Sequence, residues 1–298
     1  MIIKTNIQYM RDPFILKADR TYYAYGTGVV DDDWDDTKWI CYKNTSGTLE
    51  GPWERLPQDI AVLPEWAIKN RWAPEVHEYK GSYYLLASYY SSVTEHKGTS
   101  VLKSASPEGP FVEISDGPVT PREWDCIDGT LYVDEEGTPW MVYVYEWNNT
   151  PDGVGRMMAS RMSADLTHFV SDPIELFKAD EATWRDNDAV VTDGCYLYKA
   201  ENGELLMLWS NFDPNGYCVG LARSSNGKID GDWTHDQDLL FSKTLSGEYG
   251  GGHGMLFKDV DGKMYMSVHS PNSPQNGIGE TTVFVPILEE NGRLLPQF

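Results

Sequence analysis

DPFILKADRTYYAYG, residues 12–26, reads as a short apolar strand, a polar turn and an aromatic-rich strand, and the chain writes this pattern five times. The recurrences are PEVHEYKGSYYLLAS at 74–88, IDGTLYVDEEGTPWMVYV at 127–144, TDGCYLYKAENGELLMLWS at 192–210 and GHGMLFKDVDGKMYMSVH at 252–269. Between the two strands stand Ala18-Asp19, Lys80-Gly81, Glu136-Gly137, Asn202-Gly203 and Asp261-Gly262. The Gly-containing pairs read as two-residue hairpin turns, which need positive φ. The first polar residues of the units are Asp12, Glu75, Asp128, Asp193 and His253, at steps of 63, 53, 65 and 60 residues. A second landmark follows them: Glu50-Gly51-Pro52-Trp53, Glu108-Gly109-Pro110-Phe111 and Asp230-Gly231-Asp232-Trp233, with Ser163-Ala164-Asp165-Leu166 in the third unit. It reads as a turn into an outermost strand.

Five units of about 60 residues, each with room for four strands, predict an all-β, five-bladed β-propeller. The alternative, a β-sandwich with incidental hairpin similarity, does not explain five consecutive recurrences. One domain over 1–298 is expected, with blades at approximately 8–66, 67–120, 121–180, 181–245 and 246–298. A chain of this length buries a large core without covalent staples.

Twenty-four basic residues against 46 acidic ones give a net charge of −22. Such a surface repels a phosphate backbone and an anionic membrane, and leaves a neutral sugar unpenalised. No run of 18 apolar residues predicts a helical membrane span. The start, MIIKTNIQYMRD, has neither an apolar h-region nor a small-residue cleavage site, so a cytoplasmic location is expected. Cys41, Cys126, Cys195 and Cys218 form no CxxC pair and read as buried, reduced hydrophobes. The 11 Trp, 18 Tyr and 9 Phe suit both strand packing and flat contacts to sugar rings.

In a propeller the first strand of each blade lines the central axis, so the five polar anchors should ring one pocket. Carboxylates gathered this way raise one another's pKa. A carboxyl kept protonated near neutral pH is what general-acid catalysis requires. The competing reading is that these residues only cap strand ends.

Arg11-Asp12-Pro13-Phe14, Arg71-Trp72-Ala73-Pro74-Glu75, Ile127-Asp128-Gly129, Asp193-Gly194 and Gly251-Gly252-His253-Gly254 together resemble the blade-opening motifs of glycoside hydrolase family 43. The likeness runs from Asp12 to about Ser270. It implies a five-bladed propeller that hydrolyses arabinofuranosides, xylosides and related plant linkages with inversion. Asp12 then matches the general base, and Asp128 the carboxylate that orients the acid and tunes its pKa. Substrate contacts are expected from Trp72, Glu75, Phe14, Trp147 and His77. His253 matches an axial histidine associated with a bound cation, so a structural calcium held through water is expected there, with no organic cofactor. An oligosaccharide or glycoside is the expected partner.

Two positions depart from the family pattern. Glu75 stands where an Asp is usual, and Asp193-Gly194-Cys195 replaces the Glu-Gly-Pro whose Glu is the acid. Asp is shorter by one carbon–carbon bond, about 1.5 Å, and inversion requires a separation of roughly 6.5–9.5 Å between the two carboxyls. Asp193 is one candidate acid. Glu146, beside Trp147 at the end of a blade-three strand, is the other. A third reading has no acid at all and makes the chain a carbohydrate-binding propeller; a protein-interaction propeller is weakened by the axial carboxylates. The leading expectation is an exo-acting α-L-arabinofuranosidase, with a β-D-xylosidase or another furanoside or pyranoside hydrolase as the alternative. Trp34 and Trp66 are further rim candidates, His269 could also line the pocket, and the acidic run Asp31–Asp36 could attract a cation. His96, His168 and His235 read as loop residues in water.

Overall fold

The computed structural model describes residues 1–28, 35–272 and 279–298. Asp31 to Trp34, part of the acidic run together with a rim candidate, lie outside the described residues. The strands form five antiparallel-meander sheets. Blade one holds Met10–Ala18, Thr21–Gly28, Lys38–Asn44 and Glu54–Arg55, counted outward from the axis. Blade two holds Ala67–Tyr79, Ser82–Ser91, Lys97–Ser104 and Phe111–Glu113. Blade three holds Cys126–Val133, Pro139–Tyr145, Arg156–Arg161 and Ile174–Lys178. Blade four holds Asp193–Lys199, Leu205–Asp213, Gly216–Ser224 and Trp233–His235. Blade five holds Gly252–Lys258, Met264–Ser270 and Thr281–Glu290. Its outer edge is composite: Ile3–Gln8 pairs with one half of Thr281–Glu290, and Arg293–Pro296 with the other.

This corrects the expected blade boundaries at two places. Residues before 8 are the outer strand of blade five, which closes the ring by joining the start of the chain to its end. Ala61–Val62 belongs to the edge of blade two, pairing in parallel with Phe111–Glu113. The first joins the two ends of the chain, and the second lays the segment leading into blade two along that blade's own outer edge; a repeat count registers neither.

The inner strands touch in cyclic order, one to five and back to one. Four apolar clusters fill the seams. One joins blades two and three through Leu86, Val101, Met141 and Tyr143. Another joins three and four through Val142, Val144, Met207 and Trp209. Val219, Leu221, Met266 and Val285 seal four against five, and Ile7, Tyr25, Val76 and Phe284 belong to the cluster shared by five, one and two. A blade is therefore buried on both faces, which is why its central strands run apolar almost continuously. All four cysteines are free and buried in this packing.

The inner hairpins are of two kinds. Lys80-Gly81, both at positive φ, is a two-residue turn between the paired Tyr79 and Ser82. In blades three, four and five the loop is longer. Asp134, Ala200 and Asp259 bond across to Thr138, Glu204 and Lys263, and Gly137, Gly203 and Gly262 take the left-handed position. These are three-residue loops with a glycine closing the turn, the next commonest hairpin solution.

Candidate active site

Each inner strand is broken at its entry end by a β-bulge. The register slips between Arg11 and Phe14, Trp72 and Glu75, Ile127 and Thr130, Asp193 and Tyr196, and Gly252 and Met255. Within each bulge one residue takes a left-handed conformation: Asp12 (φ 55°), Ala73 (44°), Asp128 (54°), Gly194 (54°) and His253 (53°). Bulges re-aim side chains, and a left-handed φ that recurs five times around an axis, four times at a residue for which it is strained, marks a built site. The true structural equivalents are thus Asp12, Ala73, Asp128, Gly194 and His253. Glu75 lies two residues beyond its bulge position and Asp193 one before it.

The strained residues are held by the neighbouring blade. The Ala73, Asp128 and His253 N–H groups donate to Thr27 Oγ1 (2.8 Å), Ser88 Oγ (2.9 Å) and Ser210 Oγ (2.9 Å). The Asp12 N–H donates to His269 Nδ1 at 3.3 Å. All four acceptors sit on second strands, directly opposite the residue that precedes their own blade's bulge position. In blade three that place is Val144, opposite Ile127, which has no acceptor to offer. The Gly194 N–H instead donates to Asp128 Oδ2 at 2.9 Å. The blade-three carboxylate therefore fixes the backbone next to Asp193. Replacing Ser88 by alanine leaves the buried Asp128 N–H without its acceptor, and this should cost about 1–3 kcal/mol, read as a lower urea midpoint with an unchanged slope.

Asp12, Asp128, Asp193 and His253 line one cleft of about 200 Å³, with Arg11, Trp72, Glu146, Trp147 and Tyr217 around them. Asp12 Oδ2 accepts from the Thr27 hydroxyl at 2.7 Å, and Asp12 Oδ1 lies 3.2 Å from His253 Nδ1. Burial pushes Asp12 up, but the charge and hydrogen bond of His253, with help from Arg11, hold its carboxyl well below the usual range. Burial alone would discharge His253; Asp12 and Asp128 reverse this and raise it to about 10, so it stands as an imidazolium. Burial, opposed by His253 and reinforced by Asp12, raises Asp128 to about 6. Burial and then the charge of Asp128 push Asp193 up to about 8. Tyr217 donates its hydroxyl to Asp193 Oδ2 at 3.0 Å. The cleft thus contains a carboxylate kept charged and a carboxyl kept protonated, set apart by environment.

Glu146 lines the same cleft but is ion-paired with Lys97, whose ammonium also lies 5.1 Å from the centre of the Trp72 ring. Burial raises the Glu146 pKa while Lys97 opposes it. Trp72 and Trp147 supply aromatic walls.

Three expected substrate contacts lie elsewhere. Phe14 and His77 line a separate, mostly apolar cavity of about 400 Å³ with Tyr196 and Phe257, built from the inner strands beyond their bulges. Glu75 is buried, bonded to His77 Nε2 at 2.8 Å, and lines neither cavity. Past the bulge the strand alternation carries these side chains away from the cleft. Trp66 packs on Tyr89 in the core at 4.9 Å. His235 is a strand residue packed on Phe177 and Trp209, where burial lowers its pKa to about 4. His269 does serve the site: its Nδ1 accepts from Asp12, so Nε2, 3.0 Å from Asn272 Oδ1, carries the proton. Burial and the Arg11 charge keep it neutral, near 3.

Calcium takes six to eight oxygen ligands. Among the described residues no group of three or more His, Cys, Asp or Glu side chains is arranged to hold an ion, and the Nδ1 of His253 is turned to Asp12. These residues do not fit a directly ligated calcium.

The sequence matches the family model for glycosyl hydrolases family 43 over residues 6–292. The extracellular exo-α-(1→5)-L-arabinofuranosidase ArbA of Cellvibrio japonicus is 25% identical over 90% of this chain and 80% of its own. The extracellular endo-α-(1→5)-L-arabinanase 1 of Bacillus subtilis is 25% identical, over 47% of this chain and 45% of its own, so that match spans less than half of the relative. The crystal structure of an endo-arabinase from Bacteroides thetaiotaomicron superposes with a TM-score of 0.83 at 34% identity, covering 97% of both chains. These relatives correct the expectation of a cytoplasmic protein, since two of them are named extracellular. Of the opening residues on which that expectation stood, Ile3–Gln8 form the outer strand of blade five and Met10–Asp12 begin the inner strand of blade one. With its propeller, its axial carboxylates and a family match along nearly its whole length, the chain belongs to glycosyl hydrolases family 43 and is a glycoside hydrolase.

Proposed function

We propose that the enzyme hydrolyses α-L-arabinofuranosidic linkages of plant-derived oligosaccharides from the chain end, with inversion, outside the cell. The observation that carries the reaction is the cleft shared by Asp12, held charged, and Asp193, held protonated. Asp12 takes a proton from water as that oxygen attacks the anomeric carbon. Asp193 gives its proton to the departing glycosidic oxygen, and the sugar leaves with inverted configuration. Asp128 acts on Asp193 in two ways: it pins the Gly194 N–H beside it, and its charge disfavours a second carboxylate. His253 keeps Asp12 ionised. Glu146, held by Lys97, contributes an acceptor for sugar hydroxyls.

Support for the sugar comes from the relatives, named for α-1,5-linked L-arabinose in both exo and endo forms. Support for attack at chain ends comes from the cleft: about 200 Å³ is below the roughly 300–1,000 Å³ of pockets that enclose drug-sized ligands, which suits one terminal sugar. Linear arabino-oligosaccharides and aryl glycosides of arabinofuranose and xylose test this. Release of arabinose alone supports it. Early accumulation of internal fragments overturns the chain-end assignment, and preference for xylosides overturns the sugar.

The rate should fall with rising pH around pH 8. A general acid must be protonated, Asp193 loses its proton through about 8, and Asp12, held low, stays charged throughout. A kcat/KM profile between pH 4 and 10 reads this limb directly.

A further inference from the structure

Tyr217 belongs to no blade-opening motif, yet it touches both halves of the catalytic machinery. It stands on the third strand of blade four, 24 residues from Asp193, and donates its hydroxyl to Asp193 Oδ2 at 3.0 Å. Three constraints fix it. Its ring stacks on His269, centroids 5.7 Å apart and planes 23° from parallel, and His269 is the side chain that holds the Asp12 N–H. The ring also lies against Gly252, where an added Cβ would come within 2.3 Å of Tyr217 Cε1. Its backbone carbonyl accepts from the Gly251 N–H at 3.0 Å. A residue bound by two elements of blade five is not free to choose a different rotamer.

We propose that Tyr217 is a positioning residue for a shortened general acid: it binds one carboxyl oxygen of Asp193 and so presents the other, with its proton, to the glycosidic oxygen. The proposal rests on Asp193 being the acid. A glutamate would reach about 1.5 Å further on its own stem; an aspartate cannot make up that distance by turning its stem, so which of its two oxygens faces the substrate is set by what the other oxygen binds. The pair is also self-consistent in charge. Asp193 is faced by Asp128 from blade three, His253 from blade five, Asp12 from blade one and Tyr217 from its own blade. Tyr217 alone among them binds it as a donor, and burial with the surrounding carboxylates pushes the phenol well above its usual range, so it keeps its proton.

The test is Tyr217→Phe, measured against Asp193→Asn, on an arabino-oligosaccharide and on a dinitrophenyl arabinofuranoside whose leaving group needs no proton. Tyr217→Phe should lower kcat on the oligosaccharide at least tenfold, leave the activated substrate within about twofold, and move the alkaline limb to higher pH, because a donor to the ionised carboxylate is gone. Equal losses on both substrates, or an unmoved limb, would show a packing role only and overturn the proposal. If Asp193→Asn itself spares the oligosaccharide, the acid assignment fails, and the inference with it. If Asp193→Asn abolishes that activity while Tyr217→Phe does not reduce it, the acid assignment stands and the positioning role fails.

Discussion

Asp12→Asn should reduce kcat/KM by up to about 10⁴-fold on every glycoside, activated or not, while the protein remains folded. General-base assistance is worth about 10²–10⁴, and water must be activated whatever the leaving group. The amide keeps the shape and can still accept from the Thr27 hydroxyl, so the strained backbone at Asp12 loses neither that contact nor the bond to His269. What vanishes is the negative charge that His253 faces. His253 should then titrate closer to its ordinary value, since Asp12 is the largest contributor holding it up. Proton NMR of the imidazole would follow that change separately from activity. A variant that still turns over within tenfold of the parent would remove Asp12 from the role of base.

The second large effect separates the two acid candidates. Asp193→Asn should lose about 10³-fold or more on oligosaccharides, within the range general-acid assistance supplies, and far less on a dinitrophenyl glycoside. Glu146→Gln should behave differently: KM rises several-fold, kcat changes little, and the loss is alike for good and poor leaving groups. The reason is the company each keeps. Asp193 stands among carboxylates with a hydroxyl donor and is pushed toward the neutral acid. Burial raises Glu146 as well, but its carboxyl is engaged by the Lys97 ammonium, which opposes that rise and holds the group in an ion pair. Reversed sensitivities, with Glu146→Gln failing selectively on poor leaving groups, would transfer the acid role to Glu146. Calorimetric sugar binding without turnover in the unaltered enzyme would dispose of hydrolysis altogether.

The propeller was legible because its signal is local and repeated: a strand, a turn and an aromatic strand lie within about 20 residues of one another, five times. The same locality exposed Asp12, Asp128 and His253, which fall on the bulge residue itself, and Asp193, which directly precedes it. Position along the axis was not legible. A bulge sets two residues opposite one and resets the alternation of faces, so Glu75, two places later, reads as an equal member of the ring and instead packs with His77 away from the cleft. Phe14 and His77 follow it for the same reason.

The amino-acid sequence by itself determined the architecture, the number of blades and which carboxylates approach the axis, because these follow from short-range periodicity and turn chemistry. Only the tertiary structure decided the chemistry of those carboxylates. Whether Asp12 is charged, Asp193 protonated and Glu146 paired depends on burial and on partners from other blades: His253, 241 residues from Asp12, Lys97, 49 residues from Glu146, and Asp128, 65 residues from Asp193. Electrostatic energy follows distance in space and the exclusion of water, and neither quantity is written in the order of residues. The closure of blade five by Ile3–Gln8 and the placing of Tyr217 beside Asp193 are likewise tertiary: the first exists only once the ring has closed, the second only once blade four has folded and set its third strand near its first.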